Sequence, residues 1–329
     1  MFLIVIVVIL ALSFDFINGF HDTANAIATS VSTRALSPRN AILVAASLNF
    51  IGALTFTGVA KSIGGKVADP ATLDHGMLII VATLIAAIAW NLITWWFGIP
   101  SSSSHALIGS MAGAVIAAAG FEGINASGFA SILKGLILSP IIAFVAGFIV
   151  MKLVYWIFAN FSPHRLNKNF RMMQIVTACF QSFTHGTNDA QKAMGVITFA
   201  LVAGGLQTDL EVPLWVKIAA ATAMGLGTSV GGWKIIKTMG SKIFKIEPAN
   251  GVSADLTSAS VILGATMTGF PVSTTHVVTS GILGVGAAKR FRDVKWDVAG
   301  KIVMTWFITI PISALLAGAV FKVIELLFL

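Results

Sequence analysis

Apolar runs long enough to cross a bilayer fill most of this sequence, and they constrain the fold more than any other feature. Of the 329 residues, 57% are hydrophobic and only 10% are charged, whereas soluble domains carry about 25% charged residues. A spanning helix needs roughly 20 apolar residues, and polar breaks divide the chain into about ten such segments. Because a chain in lipid must satisfy its own backbone hydrogen bonds, we expect helices throughout. The sequence therefore predicts an all-α integral membrane protein.

The predicted segments fall into two groups of five. The first group covers residues 1–34, 41–60, 76–97, 104–119 and 129–160. The second group covers residues 172–204, 214–232, 251–269, 275–288 and 296–328. We therefore predict a first transmembrane repeat at 1–160, a short cytoplasmic linker at 161–171 and a second repeat at 172–329.

Two polar motifs occur once in each group. Residues 18–26 (NGFHDTANA) resemble residues 185–193 (HGTNDAQKA), which lie 167 positions later. Residues 97–105 (FGIPSSSSH) resemble residues 268–276 (TGFPVSTTH), which lie 171 positions later. Recurrence in the same order at nearly the same offset indicates a duplication. Five segments per half is an odd number, so the second repeat should be inverted in the membrane, an arrangement typical of secondary transporters.

The net charge of +8 is spread over short loops, and this favours the positive-inside bias of membrane proteins over nucleic-acid binding. The segments predicted to be cytoplasmic contain Arg34 and Arg39, the linker, and residues 234–245 and 289–295. The loops at 120–128 and 204–213 carry acids without Lys or Arg, so they should face outward. Both chain termini would then lie outside.

The first segment of each repeat exceeds thirty residues and is too long for one straight span. Each contains a glycine followed three residues later by an aspartate, Gly19 with Asp22 and Gly186 with Asp189. We expect broken helices, in which the chain unwinds at the glycine and a half-helix begins at the aspartate. An acid in mid-membrane costs about 2.5–3.5 kcal/mol and is functional by default. Both aspartates are therefore candidate functional residues.

A stripe of small and polar residues follows the first aspartate on one face of the predicted half-helix. It consists of Asp22, Asn25, Ala26, Thr29 and Thr33. Such residues either bind a ligand or join helices through hydrogen bonds. Lys192 occupies the repeat position of Asn25, and its spacing allows both an ion pair with Asp189 and a positive charge offered to an anion.

Proline followed by hydroxyl residues marks the start of a helix in the second motif of each half. The two hydroxyl clusters are Ser102, Ser103 and Ser104, and Ser273, Thr274 and Thr275. Free N–H groups and the positive end of the helix dipole make such half-helix hairpins ready anion sites. In an inverted repeat the two starts should converge at the midplane, where substrate binds.

His105 and His276 follow the hydroxyl clusters directly. We interpret them as packed core histidines rather than proton carriers, although histidine can serve in both roles. Neighbouring residues on a helix do not face each other, and no motif sets a nucleophile beside a base and an orienting acid. The sequence therefore gives little support to an enzymatic activity.

At these residues the sequence resembles the inorganic phosphate transporter family, and in particular its bacterial members. The four motifs lie in the family's order, and residues 188–195 (NDAQKAMG) are especially specific. The resemblance covers essentially the whole chain. It implies a multi-pass symporter of the cell membrane that carries inorganic phosphate with protons or sodium ions, with no enzymatic activity and no cofactor.

The resemblance also implies roles for particular residues. The region that binds cation and phosphate would include Asp22, Asn25, Asn188, Asp189 and Gln191. Asn188 and Gln191 would contact the phosphate. A sodium ion could bind at Asp22, Asn25, Asn188 and Asp189. The two hydroxyl clusters would hold phosphate. The first signature departs from the second, because His21 stands where the second has Asn188. Histidine changes charge near neutral pH, so a His21–Asp22 pair is a candidate proton carrier, with sodium as the alternative.

Three other functions remain open on the residues alone. A sulfate or other oxyanion transporter would use the same helix starts, an anion channel would need no cation, and a membrane enzyme is the weakest alternative. We expect contacts with lipid and phosphate but not with nucleic acid, and a homodimer is compatible with the sequence. Cys179 is the only cysteine, so we expect no disulfide framework.

Overall fold

The fold is a bundle of α-helices, and the structure is a computed structural model that describes residues 2–68 and 75–328. Within these residues the chain forms thirteen α-helices. The helices before the linker are α1 (Phe2–Ser32), α2 (Pro38–Ala53), α3 (Gly58–Lys66), α4 (Gly76–Phe97), α5 (Ser103–Ala119) and α6 (Ala126–Ile157). These bounds follow the predicted apolar segments closely, except that the second predicted segment is divided into α2 and α3.

The remaining helices are α7 (Pro163–Asp189), α8 (Gln191–Ala203), α9 (Leu214–Val230), α10 (Trp233–Lys237), α11 (Pro248–Met267), α12 (Thr274–Arg290) and α13 (Trp296–Phe328). In the second half the predicted segment 172–204 is divided into α7 and α8, and the short helix α10 has no predicted counterpart. Because α7 begins at Pro163, most of the predicted linker at 161–171 is helical. The chain passes from α6 to α7 through only a few non-helical residues.

Four helices in the described part of the chain are long and apolar enough to cross a membrane by length and composition. They are α1, α4, α6 and α13. Helices α5 and α9 are apolar but only 17 residues long. The all-helical membrane class is thus supported, whereas the count of ten segments stays a prediction.

The predicted break in the first helix is wrong, since α1 runs without interruption from Phe2 to Ser32. Gly19 serves close packing instead of unwinding. A Cβ atom at Gly19 would lie 2.6 Å from the carbonyl oxygen of Met224 and 2.8 Å from the amide nitrogen of Thr228. The missing side chain therefore lets the backbones of α1 and α9 touch.

The predicted break in the second repeat is also displaced. The interruption falls at Ala190, between α7 and α8, rather than at Gly186. Asp189 consequently ends α7 instead of beginning a half-helix. Gly186 again permits a close approach, because a Cβ there would lie 2.3 Å from the carbonyl oxygen of Asn49 on α2.

Both predicted hairpin starts are confirmed as helix N-termini. Ser102 caps α5 by accepting a hydrogen bond from the His105 backbone N–H at 3.1 Å. Ser273 caps α12 in the same way, with the His276 N–H at 3.2 Å. Gly98 and Gly269 follow shortly after the ends of α4 and α11, and their φ angles of 65° and 69° are left-handed and favour glycine.

Small residues wedge α5 and α12 against the long helices behind them. A Cβ at Gly113 of α5 would lie 2.0 Å from the carbonyl oxygen of Ala314 on α13. A Cβ at Gly284 of α12 would lie 2.1 Å from the carbonyl oxygen of Phe144 on α6. Close backbone packing of this kind is the usual way in which membrane helices associate, and it fixes where the two capped starts lie.

We predict that Gly186→Ala destabilises the protein by about 1–3 kcal/mol, because the added methyl group must push α2 away from α7. Thermal unfolding of the detergent-solubilised protein measures this loss. Gly264→Ala on α11 is the matched control, since a Cβ there meets nothing within 4 Å. An unchanged unfolding temperature for Gly186→Ala would show that α2 and α7 are not packed as described.

Candidate functional site

The two predicted acids and the two helix starts lie together in the interior. Asp22 on α1 is 2% exposed, and it accepts hydrogen bonds from Ser103 Oγ at 2.9 Å and from Thr275 Oγ1 at 3.4 Å. Ser103 is the first residue of α5, and Thr275 lies in the first turn of α12. One carboxylate thus joins both starts.

The second acid contacts the same helix start from the other side. Asp189, which is fully buried, accepts a hydrogen bond from Thr274 Oγ1 at 3.2 Å and one from Asn18 Nδ2 at 3.4 Å. Thr274 and Thr275 are consecutive residues, so the beginning of α12 bridges the two acids. The aspartates of the duplicated motif therefore face one shared cluster.

Lys192 supplies the positive charge of this cluster. Its Nζ lies 3.0 Å from Asp189 Oδ2 and donates a hydrogen bond to Ser103 Oγ at 2.7 Å, and the side chain is 1% exposed. The structure thus shows the ion pair that the spacing allowed, and it also places the ammonium group at the start of α5. A buried ammonium requires such partners, because desolvation costs several kcal/mol per ion.

Asn25 and His21 complete the contacts around Asp22. Asn25 Nδ2 donates to Thr275 Oγ1 at 2.9 Å and to Thr274 Oγ1 at 3.4 Å. His21 Nδ1 lies 2.6 Å from Asp22 Oδ1, and its Nε2 lies 3.1 Å from Thr94 Oγ1. The histidine and the aspartate that adjoin in the sequence are therefore a direct side-chain pair.

Not every predicted site residue joins this cluster. Gln191 Oε1 accepts hydrogen bonds from the backbone N–H groups of Val59 at 2.8 Å and Ala60 at 3.0 Å, so this side chain holds the beginning of α3. The donor of this side chain, Nε2, donates to the carbonyl oxygen of Thr187. Phosphate binding by Gln191 stays a prediction. Asn188 Nδ2 donates to Thr266 Oγ1 on α11 at 3.2 Å.

The outer members of the hydroxyl clusters have structural partners. Ser102 and Ser273 accept the capping hydrogen bonds of α5 and α12. Ser104 Oγ donates to the carbonyl oxygen of Val272 at 3.0 Å, which ties one hairpin to the other. The hydroxyls that face the acids are those of Ser103, Thr274 and Thr275.

The two motif histidines pack in the core, as interpreted from the sequence. The rings of His105 and His276 lie edge to face with centroids 4.3 Å apart. His276 stacks on Trp306 at 4.0 Å, and His105 Nδ1 lies 3.2 Å from the carbonyl oxygen of Trp306. This arrangement joins the starts of α5 and α12 to α13.

His185, which was not predicted from the sequence, forms a candidate cation site with the two acids. Its Nε2 lies 3.3 Å from Asp189 Oδ2. One ligand atom from each of Asp22, His185 and Asp189 lies within 4.8 Å of the other two, and all three residues are buried. The signal was available, since His185 opens the second motif and lies one helical turn before Asp189.

Two further buried acids were also missed. Asp255 on α11 accepts hydrogen bonds from Thr29 Oγ1 at 2.6 Å and from Thr177 Oγ1 at 3.3 Å. The polar stripe predicted on α1 therefore continues to a third carboxylate. Asp15 lies on α1 before the motif and is fully buried. Neither acid belongs to a duplicated motif, so repetition gave no signal for them.

Comparison with known proteins agrees with this geometry. The model of the phosphate transporter family matches residues 18–317. The chain is 61% identical to a "Probable low-affinity inorganic phosphate transporter" of Bacillus subtilis (strain 168), covering 99% of this chain and 98% of that protein. It is 46% identical to a protein of the same description from Rhizobium meliloti (strain 1021), covering 96% and 95% of the two chains.

A solved structure has the same fold. The protein described as "The sodium-dependent phosphate transporter" superposes with a TM-score of 0.91 and 26% sequence identity. The superposition covers 100% of both chains. The arrangement of helices therefore extends over the whole length of a known transporter.

Proposed function

Because this chain belongs to the phosphate transporter family, we propose that it is a symporter which carries inorganic phosphate across the cell membrane together with a cation. Its relatives are transporters, so the protein is a transporter rather than an enzyme. One observation carries the finer proposal. The first turns of α5 and α12 converge on two buried aspartates and a buried lysine.

Phosphate binds at the two helix starts. Ser103, Thr274 and Thr275 provide hydroxyl donors, and the first turns of α5 and α12 provide the positive ends of two helix dipoles. The ammonium group of Lys192 adds a full positive charge 2.7 Å from Ser103 Oγ. Serine, threonine and lysine donors at helix N-termini replace the hydration shell of a phosphate anion.

A cation binds between the two acids. Asp22 and Asp189 carry two negative charges against one on Lys192, so the buried centre keeps an excess negative charge when its histidines are neutral. The cluster of Asp22, His185 and Asp189 is the place where a cation can cancel this excess. Asn25 positions the threonine hydroxyls beside it.

The membrane potential makes a coupled cation necessary. Moving one negative charge into a negative-inside cell costs about 2.3 kcal/mol per 100 mV, and phosphate at neutral pH carries one or two. The cation is a proton or a sodium ion. The solved relative is described as sodium-dependent, whereas the direct contact of His21 with Asp22 favours a proton.

The chain crosses the membrane about ten times, as two inverted repeats at residues 1–160 and 172–329 joined by the linker. The order of the motifs and the loop charges support this proposal. In such a design, one repeat rocks against the other around a fixed central site.

We expect Asp22→Asn and Asp189→Asn each to lower cation-driven phosphate uptake by about tenfold or more, because each removes a charged partner of the cation. Radiolabelled phosphate uptake into proteoliposomes measures this. Asp297→Asn, at an exposed acid in the first turn of α13, is the matched control. Near-native uptake in both central variants would contradict the cation site. In the native protein, inhibition of radiolabelled phosphate uptake by sulfate as strongly as by unlabelled phosphate would contradict the assigned substrate.

The same assay identifies the cation. Uptake driven by an inward proton gradient in sodium-free buffer, and lost in His21→Asn, indicates proton coupling through the His21–Asp22 pair. Uptake that begins only when sodium is added indicates sodium coupling.

Substitution of the facing hydroxyls should weaken phosphate binding more than it weakens folding. We expect Ser103→Ala and Thr275→Val to raise the phosphate Kd by about tenfold, the loss of one hydrogen bond to a charged ligand. Calorimetric titration with phosphate measures this. Thr198→Val is the control, since in the described part of the chain that buried hydroxyl bonds to its own helix, at Met194. Unchanged affinity combined with a lower unfolding temperature would mean that the hydroxyls only cap helices.

The inverted topology predicts which loops an impermeant thiol reagent reaches. In a Cys179→Ser background, single cysteines at Gly123 and Gly205 should react from outside, and one at Asn167 should react only from the cytoplasm. Labelling of all three from the same side would contradict an odd number of spans per repeat.

A further inference from the structure

Asp15 is a buried acid that is not part of the central site. It lies on α1, two turns before Asp22, and its side chain is fully buried. Within the described residues neither of its carboxylate oxygens has a hydrogen-bond partner. Buried polar groups without partners are rare in native proteins, so each calls for an explanation.

Two asparagines on α1 and α4 also have unsatisfied side-chain atoms. Asn18, one turn later on α1, donates its Nδ2 to Asp189 Oδ2 at 3.4 Å, while its Oδ1 has no partner in the described chain. On α4, Asn91 lies one turn before Thr94, which contacts His21, and both of its amide atoms lack partners there. Unsatisfied polar atoms are thus present on both α1 and α4, two helices that contact each other near the central site, and such atoms bind water.

The charges that act on Asp15 come from two helices. Lys192 of α8 attracts its carboxylate, and Asp189 of α7 repels it; His185 of α7 contacts that same Asp189. Helices α4 and α9, which also pack against this part of α1, contribute little charge. Helix α4 has no ionisable residue, and α9 has only Lys217, near its first turn.

An ionised Asp15 would leave the buried centre with too much negative charge. The carboxylates of Asp15, Asp22 and Asp189 would then share the single ammonium group of Lys192. Uncompensated charge in a membrane interior is strongly unfavourable. The cation cluster of Asp22, His185 and Asp189, as found among the described residues, does not include Asp15, so one bound ion cannot neutralise both places. A proton bound to Asp15 itself can neutralise this second place, because a proton needs only one carboxylate.

We propose that Asp15 binds a proton from the outer side of the membrane and that this proton enters together with phosphate. The inference rests on the proposed function and adds a second cation to the one held between Asp22 and Asp189. Outer water supplies the proton through the unsatisfied groups of α1 and α4, and inner water receives it after the central site has opened inward. Once Asp15 is neutral, the ammonium group of Lys192 is attracted only to Asp22, to Asp189 and to the anion bound at Ser103.

Proton uptake on phosphate binding tests this inference. Calorimetric titration of the full-length protein with phosphate, in buffers of different ionisation enthalpy, gives the number of protons taken up. We expect the native protein to take up about one proton more per phosphate than Asp15→Asn, and its affinity to rise by about an additional tenfold per unit fall in pH. Phosphate's own protonation contributes equally to both proteins. Asp297→Asn should match the native protein.

Each other outcome overturns the inference. Asp15→Asn that binds phosphate with native proton uptake shows that the proton binds elsewhere. A folded Asp15→Asn that binds no phosphate also contradicts it, because a neutral amide imitates the protonated acid. If Asp15→Asn does not fold, Asp15→Glu is measured instead. This variant should still take up the additional proton on phosphate binding, but the pH at which that proton uptake is half-maximal should shift. An unshifted midpoint overturns the inference. A native protein that binds no phosphate would refute the proposed function itself, and this inference with it.

Discussion

The buried ion pair of Lys192 and Asp189 is the interaction on which the rest of the centre depends. An ammonium group at 1% exposure is tolerated only because Asp189 Oδ2 lies 3.0 Å away and Ser103 accepts a hydrogen bond from it at 2.7 Å. Removing one partner of such a pair costs about 3–5 kcal/mol. The pair therefore requires α5, α7 and α8 to meet at one point, and it sets the position of the α5 start.

Close helix packing makes that meeting possible. Lipid offers no hydrophobic force that drives helices together, so backbones must approach closely enough for dispersion and hydrogen bonds to hold them. Gly19 and Gly186 belong to the two copies of one duplicated motif, and each contacts the backbone of a neighbouring helix. Glycine three residues before the motif aspartate thus lets α1 and α7 place their acids in one centre, where bulkier residues would hold the helices apart.

The sequence predicted elements better than it predicted contacts. Apolar runs and capping residues gave most helix bounds, including the starts at Ser103 and Thr274. Glycine has two uses that a sequence does not distinguish, so the motif predicts a break at Gly19 where the structure has close packing. The contacts of Gln191 with the start of α3 could not be predicted, because those residues lie 131 and 132 positions away. Asp15 and Asp255 carried no repeat signal, and only the fold reveals that both are buried.

Competition for hydrogen-bond donors offers a physical basis for the proposed coupling. Each hydroxyl has one proton to donate, and those of Ser103, Thr274 and Thr275 are directed at the two aspartates. A phosphate bound at the helix starts needs the same donors, so its arrival would strip the acids of the bonds that stabilise their charge. A cation at Asp22 and Asp189 would replace those bonds. Anion and cation would then each bind tightly only when the other is present, which is what strict symport requires.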